Sequence, residues 1–156
     1  MKNQLHADAA RFWQCRAVVL SERASRPAKW LAQRRMDRIT RRWHAVIPNT
    51  ARIAGVPVTP HGLIGIFISK QAVIGKNVTI HQNVTIGSVQ TPGSKHPGAP
   101  VIGDDVVVGA NAVVVGGITI GNRVQIGAGI AVATDVPDDA TVVSANVRII
   151  ERKTQT

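Results

Sequence analysis

Aliphatic residues return every sixth position along most of this chain. In "VIGKNVTIHQNVTIG", residues 73–87, they stand at Ile74, Ile80 and Ile86, and the count extends back to Ile68. After one gap of sixteen residues it resumes at Ile102, Val108, Val114, Ile120, Ile126 and Val132. Four residues after most of these positions comes a second small or aliphatic one: Ala72, Val78, Val84, Val106, Ala112, Ile118, Val124, Ile130 and Val136. Polar residues fill the spaces, and Gly75, Gly87, Gly103, Gly109, Gly121 and Gly127 directly follow frame aliphatics. An amphipathic helix repeats at about 3.6 residues and a half-buried strand at about 2, so neither explains a count of six. A solenoid of short strands and tight corners does. The paired apolar residues point inward, and glycine is expected to relax the backbone near each corner.

Three sixes close one triangular coil, so stacked coils should repeat every eighteen residues. A single coil cannot stand alone. Ordering its backbone costs about 1–2 kcal/mol per residue, while burying a Val or Ile returns only about 1.5–3 kcal/mol. Stacking adds a hydrogen-bond ladder and covers the open face of each coil, so several coils and capped ends are required.

The first 47 residues follow another rule. Within residues 28–47 a helical stripe of Ala32, Met36, Ile39, Trp43 and Val46 is predicted. Pro27 separates it from an earlier helix around "ADAARFWQCRAVVLSERA". Charge follows the same boundary: residues 1–47 hold eleven Lys/Arg against Asp8, Glu22 and Asp37, whereas residues 48–156 hold eight against six. The expected organisation is therefore a basic helical segment over 1–47, capping the first coil with its arginines solvated. An all-β solenoid over 48–150 follows, with a loop at 88–101, and then a tail at 151–156. The alternative for the basic segment is contact with an anionic surface: a membrane, a polyanionic glycan or nucleic acid. No zinc or base-reading motif supports nucleic acid.

Composition narrows the setting. Apolar residues make up 44% of the chain but aromatics only 3%, so the core must be built from Val, Ile and Ala. The one cysteine, Cys15, cannot form an internal disulfide and suits a reducing compartment. No apolar run approaches the ~18 residues of a membrane span, and the N-terminus lacks a signal peptide's uninterrupted apolar centre. A soluble, cytoplasmic protein is expected.

The segments "AVIGKNVTIHQNVTIG", "KHPGAPVIGDDVVVGANAVVVGGITIGNRVQIGAGIAVATDVPDDATVV" and "VRII", in that order, resemble the hexapeptide-repeat acyltransferases, and among them the serine acetyltransferase branch. The resemblance covers residues from about Ile47 to Ile150. It implies a left-handed parallel β-helix, a homotrimer with sites between subunits, and acetyl-CoA as acyl donor, with no metal.

Five histidines could supply the base that an alcohol needs before it attacks a thioester. His6 and His44 fall in the basic segment and read as surface residues. His81 interrupts the glycine series at a coil corner and reads as a corner side chain. His61, in "TPHGLIGIFIS", precedes Gly65-Ile66-Phe67, and the resemblance makes it the catalytic base. In the loop, His96-Pro97 matches the family's His-Pro pair, and His96 would orient the acceptor or support the oxyanion. The resemblance also implies that Ala110 and Ala128 leave a groove for pantetheine. Gly87 and Ser88 would offer amides to the thioester, and Arg148, Arg152 or Lys153 would meet the nucleotide phosphates.

There is one departure. Serine acetyltransferases carry aspartate immediately before this histidine and an earlier Asp-Ile-His-Pro segment, whereas here Pro60 precedes His61 and "RIAGVPVTP" has no carboxylate. The expected acceptor is accordingly a hydroxyl of a saccharide or small metabolite, with L-serine as the alternative. Two readings of other classes stand beside these. One is a zinc carbonic anhydrase-like enzyme, needing three imidazoles on one ion; the other is a non-catalytic β-helix scaffold.

Overall fold

The computed structural model describes residues 2–144. Two helices open the chain, α1 (Lys2–Leu20) and α2 (Arg26–Trp43), and they pack on each other across a short connection. Ser25 caps α2 by accepting the Ala28 N–H at 3.4 Å, with Pro27 in the first turn, where a missing N–H costs nothing. The helix ends at His44, which turns left-handed at φ 52°. The predicted stripe is buried at Ala32, Met36 and Ile39 but not at Val46, which is 47% exposed in extended chain bridged to Phe67. The left-handed cap at His44 makes the early stop, with the Ala45 N–H returning to Thr40 O at 2.9 Å, and Pro48 keeps Ile47 out of the helical region.

Twelve short strands then build three parallel sheets among the described residues. The first face holds β1 (Arg52–Ile53), β3 (Val73–Ile74), β6 (Val101–Ile102) and β9 (Thr119–Ile120). The second holds β4 (Thr79–Ile80), β7 (Val107–Val108), β10 (Gln125–Ile126) and β12 (Thr141–Val142). The third holds β2 (Phe67–Ile68), β5 (Thr85–Gly87), β8 (Val113–Val115) and β11 (Ala131–Val132). The chain visits the faces in turn, so the molecule is a left-handed parallel β-helix of triangular coils. All ten frame aliphatics from Ile68 to Val132 point inward, none more than 3% exposed. The twenty-eight-residue step from Val73 to its partner Val101 shows that the loop is looped out without a change of register.

The corner glycines work differently from expectation. Left-handed residues at the corners are Asn77, Asn83, Asp105, Asn111, Arg123 and Asp139, not the frame glycines. Gly75, Gly103 and Gly109 serve close stacking instead: a Cβ on Gly109 would stand 2.6 Å from Ala128 N and 2.8 Å from Gly127 C. Corner side chains also tie coil to coil. Between the first and second faces, Asp104 Oδ1 accepts the Lys76 N–H at 2.6 Å, Asn122 Oδ1 accepts that of Asp104 at 2.9 Å, and Asp138 Oδ1 accepts that of Asn122 at 2.8 Å.

The helices share one core with the solenoid through Ala9, Phe12, Trp13, Met36 and Ile39. Arg16 is not solvated, as the basic segment's arginines were expected to be. It is buried and donates to Ala51 O at 2.7 Å and Asn49 O at 3.4 Å, meeting carbonyls at the start of the first coil. Among the described residues no helix is long and apolar enough to cross a membrane.

Candidate active site

The first coil exceeds the regular eighteen residues. Val58 bridges Thr79 twenty-one residues on, whereas Phe67 pairs with Thr85 at the regular eighteen, so three extra residues lie between Val58 and Phe67. They form a turn at the edge between the second and third faces, and His61 sits in it. Gly62 (φ 62°) and Gly65 (φ 61°) give that turn its left-handed bends. The Gly62 N–H donates to Thr59 O at 3.0 Å and the Gly65 N–H to Trp43 O at 2.9 Å. Both glycines are tightly covered. Leu5 of α1 lies 2.5 Å from where a Cβ on Gly62 would stand, and the Asn83 side chain lies against Gly65. The turn is thus held by both helices and by the next coil, while His61 itself remains exposed.

Directly on the next coil stands His81, half-buried, its ring centroid 5.8 Å from that of His61 and tilted by 46°. Sequence spacing gave little sign of this pair, because regular coils place neighbours eighteen apart and these residues are twenty apart. The signal was the irregular stretch "TPHGLIGIF", whose added residues shift the register.

Above the imidazoles the same edge becomes a strip of small residues. Thr79 pairs with Val107 and Val107 with Gln125, which sets Gly109 over His81 and Gly127 over Gly109. Ala110 and Ala128 follow these glycines, and the Ala110 carbonyl accepts the Gly129 N–H at 2.8 Å. The structure therefore puts His61, His81, Ala110 and Ala128 along one edge of the prism.

The other candidates lie at the next corner, between the third and first faces. Gly87 is buried at the end of β5, its carbonyl accepting the Gly116 N–H at 3.1 Å, and Ser88 is half-buried beside it. The loop folds on itself through an antiparallel bridge of Val89 and Gly98, with reciprocal N–H···O bonds of 2.8 Å. His96 is half-buried; its N–H meets Ser94 Oγ at 3.3 Å and its carbonyl accepts the Gly117 N–H at 2.9 Å. A single chain does not bring His96 to His61, since the third face separates their corners. Arg148, Arg152 and Lys153 lie outside the described residues.

An exposed imidazole at the foot of a small-residue strip can accept a proton from a hydroxyl brought alongside. Cys15 is buried within the helical segment, away from this edge. Among the described residues, no group of three or more His, Cys, Asp or Glu side chains is placed to hold a metal ion.

Residues 99–129 match the family model for the bacterial transferase hexapeptide (six repeats). The serine acetyltransferase of Synechococcus elongatus is 38% identical over 140 residues, covering 81% of this chain and 54% of that protein. That of Bacillus subtilis is 42% identical over 91 residues, covering 58% and 40%. Among solved structures, Neisseria gonorrhoeae serine acetyltransferase in complex with serine superposes with a TM-score of 0.67 at 31% identity, over 91% of this chain and 55% of that one. The soybean enzyme complexed with serine gives 0.66 at 36% identity, over 87% and 54%. The chain spans about half the length of these relatives, 54% of the first.

Proposed function

As a hexapeptide-repeat protein of serine acetyltransferase-like sequence and fold, this chain, we propose, is an acetyl-CoA-dependent O-acetyltransferase whose general base is His61. The observation that carries the reading is the exposed His61 imidazole at the foot of the Ala110–Ala128 strip, on a turn fixed by both helices. The acceptor hydroxyl gives its proton to His61 while its oxygen attacks the thioester carbonyl. The coenzyme A thiolate then leaves and takes a proton, which His61 is placed to return. Small side chains at Ala110 and Ala128 leave room along the edge for the extended pantetheine arm.

L-serine is the acceptor best supported, because the similar proteins are serine acetyltransferases and two of the similar structures hold serine. This reverses the order expected from the sequence. One observation keeps a saccharide hydroxyl as the second reading: Pro60, not a carboxylate, precedes His61 and cannot pair with serine's ammonium group. A homotrimer in the cytoplasm belongs to the same proposal. A neighbouring prism would bring its 88–101 loop, with His96, alongside the His61 edge, completing a site that one chain leaves open.

The test is thiol release from acetyl-CoA by the purified protein, with L-serine and with a panel of free sugars. Turnover with serine is expected. Turnover with sugars alone would select the second reading, and failure to bind coenzyme A by calorimetry would leave the scaffold.

A further inference from the structure

The helical hairpin turns one side to the solenoid and leaves the other bare. On the free side, Arg11 of α1 and Arg35, Arg38 and Arg42 of α2 line an open groove of about 460 Å³. Its carboxylate, Asp8, is buried and already engaged by Trp43 Nε1 at 3.1 Å, Gln4 Nε2 at 2.9 Å and Arg42 at 3.5 Å. Among the described residues, Arg11, Arg35 and Arg38 therefore face the groove without an ion pair. Toward the connection between the helices the groove continues but changes character, being lined there by Val18, Ala28 and Leu31. Val18 and Leu31 are 37% and 45% exposed, and Trp30, next to Leu31 in the chain on the outer side of α2, is 61% exposed with the Arg34 guanidinium 5.1 Å from its ring centroid.

Bare Trp and Leu at one end, with guanidiniums behind them and along the groove, make a surface with two demands. The charges call for anionic oxygens, and the apolar tip calls for removal from water, worth about 25 cal/mol per Å². A second copy of this chain would bring the same sign of charge to the contact and be repelled. Nucleic acid would satisfy the arginines and leave Leu31 and Val18 wet. A lipid surface with acidic headgroups satisfies both, since phosphates meet the guanidiniums while aromatic and aliphatic side chains enter the interfacial layer. We infer that the free face of the hairpin docks on an anionic membrane surface, with Arg11, Arg35 and Arg38 on lipid phosphates and Trp30 and Leu31 in the headgroup layer. The docking is peripheral and does not depend on which acceptor the enzyme uses.

The experiment is sedimentation of the full chain with vesicles of phosphatidylcholine alone, and of phosphatidylcholine with about a third phosphatidylglycerol, near 0.15 M salt. Binding is expected only to the acidic vesicles, with a blue shift of tryptophan emission and release at about 0.5 M salt. Arg35→Gln and Arg38→Gln should each weaken partitioning roughly fivefold, and Trp30→Ser should abolish the blue shift. These side chains are exposed, so unchanged circular dichroism confirms the fold of each variant. Equal binding to neutral vesicles, no binding to acidic ones, or arginine variants that bind like the parent would overturn the inference. So would tighter association with duplex DNA than with vesicles at equal phosphate concentration.

Discussion

The imidazoles of His61 and His81 stand 5.8 Å apart on successive coils, the first exposed and the second half-buried. On the proposed mechanism, His61→Ala lowers kcat/KM by about 10²–10⁴ with the fold unchanged, measured as thiol release from acetyl-CoA. His81→Phe keeps the packing and costs less. Because the rings are in contact, a double-mutant cycle should give a coupling of about 0.5–3 kcal/mol. Strict additivity would show that the second imidazole is a bystander, and a larger loss at His81 would move the base there.

Arg16 joins the helices to the solenoid. Desolvation works against its charge, lowering its pKa from the usual guanidinium value, yet it donates to Ala51 O at 2.7 Å. Arg16→Met leaves that carbonyl without its donor and should lower stability by about 2 kcal/mol, read from denaturant unfolding. An unchanged midpoint would mean that water replaces the guanidinium at no cost.

Two glycines separate crowding from backbone strain. Gly109→Ala forces a Cβ to 2.6 Å from Ala128 N, against backbone that cannot yield without moving a coil. Gly129→Ala meets nothing within 4 Å and carries only the penalty of φ +69°. The first should cost about 1–3 kcal/mol and the second about 1 kcal/mol. Thermal unfolding of both variants checks the order, and the reverse order would refute the stacking explanation.

At the far coils Arg123 binds Asp139 through two bonds of 2.6 and 2.8 Å. The Arg123 hydrogen bond holds the Asp139 carboxyl below its usual value, and the Asn122 N–H does the same for Asp138. A carboxylate lowered in the folded state contributes stability that is complete above its unfolded pKa, near 3.9. That contribution is lost as pH falls through the lower folded value. Arg123→Gln removes Asp139's main cause, so the difference in Tm between parent and variant should shrink on acidification below about pH 4. A gap that stays constant would show that the pair does not titrate with unfolding.

The coils were legible because each frame aliphatic reports its own position: a count of six repeats one inward strand residue on every face, and Ile68 to Val132 obey it. The glycine explanation was only half legible. Gly109 looks in sequence like a residue chosen for φ freedom, and only the coil above shows that space, not torsion, decides. Arg16 was illegible, since an arginine on a charged helix reads as solvated until Ala51 appears beneath it. His61 was marked by its motif, but its neighbour depended on three added residues whose placement needs the pairing of Val58 with Thr79. His96 was found by its His-Pro pair, while the corner it occupies depends on how the loop folds.

That loop leaves from β5 and rejoins at β6 with Val73 still opposite Val101, and its ends are drawn together by the Val89–Gly98 bridge. It behaves as a cartridge clipped to an unchanged magazine. On the proposed function, its outer residues 90–95 are the segment to exchange when testing acceptor choice, because His96 and Pro97 pack on Gly116 and Gly117 and hold the loop to the coils.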